Sequence, residues 1–221
     1  MRRVEIMTAE GAALAEVARP PGSASASASG RAPGRARGSA PEPSFLLVLT
    51  HGSGGRVATP DVLAVQDAGL RLGAVTALVT QPYRVKGQRA PGNAERQDAA
   101  WVEVISALRE SIGTGLPLIQ GGRSNGARVA CRTAQATGAR GVIALAFPLH
   151  PPGRPERSRA AELAMAGTDV LVINGRNDPF GIPRRAAGRR LVVLDGETHA
   201  LSRHPEEVGR AARSWLRKLL G

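Results

Sequence analysis

Gly122, Ser124 and Gly126 stand at alternate positions in the run Gly-Gly-Arg-Ser-Asn-Gly at 121–126. A serine hydroxyl is a weak nucleophile until a neighbouring base takes its proton. Glycines two residues to either side permit a turn too tight for side chains, with the serine itself in a strained backbone conformation. Leu116–Gln120 before the run is apolar and suits a buried strand, and Ala127–Ala136 after it suits a helix. A strand turning at once into a helix around Gly-x-Ser-x-Gly is a nucleophile elbow, which presents its serine at the end of a sheet. The chemistry this implies is acyl transfer, which also requires a base, an acid and oxyanion donors.

Four histidines are available as the base. His51 follows the run Phe45–Thr50, His150 follows Phe147, and His204 opens the last helical stretch. His199 lies in Gly-Glu-Thr-His-Ala after the last strand-like run. Elbow serines are followed in the chain by the acid and then the histidine, an order that only His199 satisfies as the closing member. The acid must hold the imidazole in one tautomer and offset its charge. Asp178, in Asn-Gly-Arg-Asn-Asp-Pro after Val170–Asn174, precedes His199 and sits in a turn stiffened by Pro179. Asp195 is the rival, but it stands only four residues before His199, which suits bracing better. The plain alternative for all three is an exposed loop residue.

Oxyanion donors are expected from the backbone N–H of Asn125, at the start of the elbow helix, and from His51-Gly52-Ser53-Gly54-Gly55. Ser53 N–H is the first choice there and Gly54 N–H the alternative, with His51 bracing the loop. The Gly-rich stretch lacks the pattern of a dinucleotide or P-loop site. No His, Cys or carboxylate spacing suggests a catalytic metal. Neither cofactor nor metal is therefore expected.

These residues need a scaffold, and the apolar runs supply one. Val4–Met7 and Ala13–Val17 read as a hairpin about Thr-Ala-Glu-Gly, belonging to the main sheet as residues 1–18. Residues 19–43 are Ser-, Ala-, Gly-, Pro- and Arg-rich, with little to bury, and are expected to be a disordered insertion. Residues 44–221 form the core. There, strand-like Phe45–Thr50, Val75–Thr80, Leu116–Gln120, Gly141–Phe147, Val170–Asn174 and Leu191–Leu194 alternate with helical stretches. The helices are expected at Pro60–Leu72, Ala94–Ile112, Ala127–Ala136, Arg157–Ala166 and Pro205–Leu220, with a short one at Pro183–Gly188 and a loop up to Asn93. This alternation predicts an α/β fold, a mostly parallel doubly wound sheet with helices on both faces. Every candidate site residue falls on a loop leaving a strand's carboxyl end, where ligands bind.

Composition narrows the reading. The 221 residues suit one domain with a real core, 42% hydrophobic but only 3% aromatic. A net charge of +12 invites a nucleic-acid partner. The arginines are scattered and lack accompanying aromatics, so no nucleic-acid partner is expected. Cys131 is the single cysteine, which excludes an intramolecular disulfide and suits a reducing compartment. No run approaches a membrane span, and no apolar region follows Arg2 and Arg3, so a cytoplasmic protein without membrane contact is expected.

The segments HGSGG, QPYRVKGQRAP, GGRSNGARVACRTA, FPLHPPGRPERSR, NGRNDPFG and GETHAL, in this order, resemble those of small actinobacterial α/β-hydrolases. The resemblance is to the dienelactone-hydrolase-like branch and runs from about Phe45 to the C-terminus. It implies the α/β-hydrolase fold with minimal or no lid, nucleophile Ser124, acid Asp178 and base His199. The chain departs from that branch in its Arg19–Pro43 tract and in having Ser124 where dienelactone hydrolases use cysteine.

Two loops are expected to flank the pocket, one with Tyr83, Arg84, Lys86 and Arg89, the other with His150. With Arg123 and Arg176 they would give the mouth a basic rim, suiting a small ester or thioester that carries an anion. The same arginines would equally serve as solvated loop residues. The leading function is a serine hydrolase of small esters or thioesters. The alternatives are a non-catalytic binding protein on the same fold and an acyltransferase using the same three residues.

Overall fold

The computed structural model describes residues 1–23 and 42–221. Most of the tract expected to be disordered therefore lies outside the described residues. Among those described, eight strands form one sheet in the order β1-β2-β4-β3-β5-β6-β7-β8. The strands are β1 (Arg2–Thr8), β2 (Gly11–Ala18), β3 (Phe45–Thr50), β4 (Ala74–Thr80), β5 (Leu118–Arg123), β6 (Gly141–Leu145), β7 (Asp169–Gly175) and β8 (Arg189–Leu194). The helices are α1 (Pro60–Leu70), α2 (Pro82–Val85), α3 (Ala94–Ile112), α4 (Asn125–Thr137), α5 (Ala160–Ala164) and α6 (Pro205–Leu220). β1 and β2 pair antiparallel, β2 lies antiparallel to β4, and all other pairings are parallel.

Every residue of β3 is buried, because helices cover both faces of the sheet there. Successive side chains alternate sides. Phe45, Leu47 and Leu49 join the α1 and α6 side, with Val62, Val208 and Trp215. Leu46 and Val48 join the α3 side, with Trp101, Val104 and Leu108. Each such aliphatic burial contributes roughly 1.5–3 kcal/mol, so with few aromatics the strands themselves carry much of the core. α6 buries Val208, Ala212, Trp215 and Leu216 at helical spacing, leaving a charged outer face. α3 is capped at its start by Asn93, whose Oδ1 accepts from Arg96 N–H at 3.1 Å. α4 ends at Gly138 with φ of 64°, the left-handed cap that glycine tolerates best.

Four expectations are corrected. Pro183–Gly188 is not helical. It closes in a tight turn, with Arg189 N–H donating to Ala186 O at 3.0 Å, and Val170 N–H of β7 donates to Gly188 O at 2.8 Å. The helix expected over Arg157–Ala166 is only α5, because turns closed by Arg154–Pro151 and Arg157–Arg154 bonds occupy the approach. Conversely, the loop expected before Asn93 contains α2, started by Pro82 at its first turn. β5 also continues through Gly121 and Gly122, past the expected end at Gln120. The excursion between β6 and β7, with α5 as its only helix, adds no lid domain.

Candidate active site

Ser124 sits between β5 and α4 with φ of 54° and ψ of −113°. A non-glycine residue in that region is strained and is held there by its surroundings. The surroundings are backbone. A Cβ on Gly122 would come 2.7 Å from Thr50 O, and one on Gly126 would come 2.7 Å from His51 O. Both glycines are thus required by close approach of β3 and its following loop. Ser124 N–H donates to Leu145 O at 2.9 Å, tying the corner to β6.

His199 reaches Ser124 from the loop between β8 and α6. Its Nε2 lies 3.0 Å from Ser124 Oγ, and its Nδ1 lies 2.9 and 3.1 Å from the Asp178 carboxylate oxygens. The Asp178 side chain is fully buried. Its Oδ1 accepts from Phe180 N–H at 2.9 Å and its Oδ2 accepts from Asn174 Nδ2 at 3.2 Å. Asn174 is itself fixed by a two-way exchange with the backbone of Phe147, each bond 3.1 Å. Phe180 also covers the His199 ring, with centroids 4.2 Å apart. These three side chains come together from the ends of β5, β7 and β8.

Asp195 does not reach the imidazole. It is exposed and paired with Arg176. His150 braces the Asp178 turn instead of facing the cleft. Its backbone N–H donates to Phe180 O at 3.0 Å, and its ring fills the space beside Gly181. His204 is the exposed N-cap of α6.

The Gly-rich loop after β3 closes on itself, Gly55 N–H donating to Gly52 O at 3.3 Å, and Gly52, Ser53 and Gly54 line the cleft. Asn125, which lines the same cleft, begins α4, so its N–H has no acceptor within the helix. His51 holds this loop from behind. Its Nε2 accepts from Gln81 N–H at 3.0 Å, which puts the proton on Nδ1, where it donates to Gly52 O at 2.8 Å. Burial pushes the imidazole pKa below its ordinary value, against the opposing pull of that bond to Gly52 O. Tyr83 OH donates to Ser53 O at 3.3 Å. Its burial raises the phenol to about 12.

The cleft measures about 460 Å³ and is lined by Gly52–Gly55, Arg123–Asn125, Arg128, Pro148, Arg159, Phe180 and His199. Among the cations and pocket residues expected from sequence, only Arg123 lines it. Tyr83 lies behind the loop, and Arg84 donates to Gln88 O at 2.9 Å on the chain's outer side. Lys86 lies over the hairpin turn at Gly11, and Arg89 is exposed. Arg123 Nη2 donates to His199 O at 2.7 Å, fixing the histidine loop. Its Nε lies 3.2 Å from Oδ2 of fully buried Asp61, a charge pair without a well-aligned N–H. Burial raises the Asp61 pKa and the Arg123 charge opposes that rise. Sequence reasoning passed over Arg128, Arg159, Phe180 and Asn174. Arg128 follows Ser124 by one helical turn, a spacing that could have found it; Arg159 left no local signal.

Cys131 is buried in α4 and its thiol is pushed up to about 12, so it is not a nucleophile for this cleft. Among the described residues, no His, Cys, Asp and Glu cluster could hold a metal ion, and no helix is long and apolar enough to cross a membrane.

A mostly parallel eight-stranded sheet with a strand–turn–helix serine at the end of β5 is the α/β-hydrolase fold. A family model described as an alpha/beta hydrolase domain matches residues 43–201, and the chain belongs to that family of hydrolase-type enzymes. No curated protein matches the sequence. An α/β serine hydrolase homologue from Coxiella burnetii superposes with a TM-score of 0.72 at 17% identity, covering 97% of each chain. A serine hydrolase without a lid from Xanthomonas campestris gives 0.72 at 18%, covering 98% of this chain and 94% of the other. Dienelactone hydrolase from Anabaena variabilis gives 0.67 at 17%, covering 98% and 96%.

Proposed function

We propose that this protein is a serine hydrolase that cleaves a small ester or thioester through an acyl-enzyme. The observation that carries this reading is the continuous line of short contacts from Ser124 Oγ through His199 to buried Asp178. Ser124 Oγ attacks the substrate carbonyl carbon while its proton passes to His199 Nε2. Asp178 keeps the Nδ1 proton in place and offsets the imidazolium charge. The developing oxyanion accepts from Asn125 N–H and Ser53 N–H, with Gly54 N–H as the alternative donor. Collapse of the intermediate breaks the ester bond, and the leaving alcohol or thiol takes the proton from Nε2. Water then attacks the acyl-enzyme, giving its proton to His199, and the free acid departs as Ser124 regains its hydrogen.

The hydrolase reading, as opposed to a binding protein on this fold, is tested with a fluorophosphonate probe. Wild type becomes labelled, while Ser124→Ala and His199→Ala do not. On p-nitrophenyl esters Ser124→Ala loses about 10⁴-fold or more in kcat. A correctly folded wild type that stays unlabelled overturns the proposal.

A further inference from the structure

Three arginines line the Ser124 cleft, and they differ in what neutralises them. Arg123 faces the buried Asp61 carboxylate. Arg128 forms a two-pronged pair with Glu162, both bonds 2.7 Å. Glu162 is shared, since Arg132 Nη1 donates to it at 2.9 Å while the rest of that guanidinium grips Asp98 at 2.6 and 2.7 Å. Arg128, Arg132 and Arg159 therefore have two carboxylates between them.

Arg159 is the one left over. Its side chain donates to Pro148 O at 3.0 Å. Among the described residues no carboxylate lies within ion-pairing distance of it, and residues 24–41 contain no Asp or Glu. Partial burial, followed by repulsion from Arg128, pulls its pKa below the ordinary guanidinium value, with Glu162 acting against that. A partly desolvated cation with unused, fork-shaped donors beside a nucleophile gains most from a carboxylate or phosphate, which a guanidinium meets with two parallel bonds.

We propose that the part of the cleft bearing Arg128 and Arg159 is a subsite for a carboxylate or phosphate on the ester that Ser124 attacks, with Arg159 setting specificity. The proposal rests on the serine-hydrolase reading above. The anion stands on either the acyl portion or the leaving group, and two substrate pairs separate these cases. Mono-p-nitrophenyl glutarate against p-nitrophenyl butyrate tests the acyl side. 4-Acetoxybenzoate against phenyl acetate tests the leaving side.

In one of these pairs wild type favours the anionic ester by about 10- to 100-fold in kcat/KM, the range of a charge-assisted pair. Arg159→Gln collapses that ratio, and Arg159→Lys keeps part of it. Arg176→Gln, an exposed arginine outside the cleft, leaves it unchanged. Because the ratio compares two substrates on one protein preparation, partial misfolding cancels. A ratio near one in both pairs, or one unaltered in Arg159→Gln, overturns the proposal. Should none of these esters turn over, protection of Ser124 from fluorophosphonate by glutarate or inorganic phosphate decides. Protection exceeding that by neutral glutaramide supports the subsite, and equal protection overturns it. Labelled wild type without anion preference sinks this inference alone, whereas unlabelled wild type sinks the hydrolase reading with it.

Discussion

Two parts of the cleft lining are built by different means. Gly52–Gly55 offers backbone, held from behind by a buried polar chain. Tyr83 and His51 grip the loop, and Gln81 links Thr50 Oγ1 at 3.1 Å to Gln97 at 2.6 Å. The region of Arg128, Pro148 and Arg159 offers full charges, Arg128 held by a partly exposed ion pair with Glu162 and Arg159 by its bond to Pro148 O. The difference matches two electrostatic tasks. A charge that exists only in the transition state is served best by fixed dipoles that need no rearrangement. A charge the substrate carries throughout is served by a cation able to exchange water for the ligand. On the proposed reading, the rigid backbone serves rate and the arginines serve choice of substrate.

The largest effect is expected from a side chain placed in the glycine loop. A Cβ at Gly52 would lie 3.1 Å from the Ser124 Cβ. Gly52→Val is expected to cut kcat by roughly 10²–10³-fold, the cost of losing one oxyanion donor, with an unaltered circular dichroism spectrum. Next comes the pair beneath the histidine loop. Asp61→Ala strands the Arg123 charge and should lower unfolding stability in denaturant titration by about 3 kcal/mol. Its activity should fall as well, since Arg123 anchors His199 O. A stable, fully active Asp61→Ala would place Arg123 with the specificity arginines instead.

Smaller effects refine the bracing of the glycine loop. Tyr83→Phe removes the bond to Ser53 O, worth about 1 kcal/mol, and should lower kcat several-fold while the anionic-to-neutral ratio stays put. His51 gives the mildest test, through pH. Its folded pKa lies below the ordinary 6.5. Below that value the unfolded chain binds a proton the folded protein refuses, so the stability His51 contributes is complete above 6.5 and fades as pH falls. Thermal melts from about pH 8 to about pH 5 should show a steeper loss for wild type than for His51→Gln. Parallel slopes would remove His51 from the brace.

Much of this molecule is written locally. Phe45–Thr50 is buried on both faces wherever helices cover it, so an unbroken apolar run is enough to announce the strand. Gly122 and Gly126 are demanded by a turn that any neighbouring Cβ would block, and the chain order Ser124, Asp178, His199 follows from strand succession. Short, weakly apolar stretches were less legible. Pro183–Gly188 has helix-tolerant residues, yet N–H groups of β8 and β7, at Arg189 and Val170, take up its Ala186 and Gly188 carbonyls in a turn. α2 arises only because Pro82 starts a turn that Arg84 and Lys86 close with backbone bonds to Gln81 and Pro82.

The sequence alone determined the glycine, serine and histidine positions on which the proposed acyl transfer rests, because those residues answer to backbone geometry a few residues away. Which arginine is free was decided by tertiary structure. Arg123 meets Asp61, Arg128 meets Glu162 and Arg132 meets Asp98 across gaps of 62, 34 and 34 residues. A cation's charge is cancelled by whatever carboxylate the fold sets beside it, and no local pattern encodes that distance. Arg159 stands out only after the other pairs have formed.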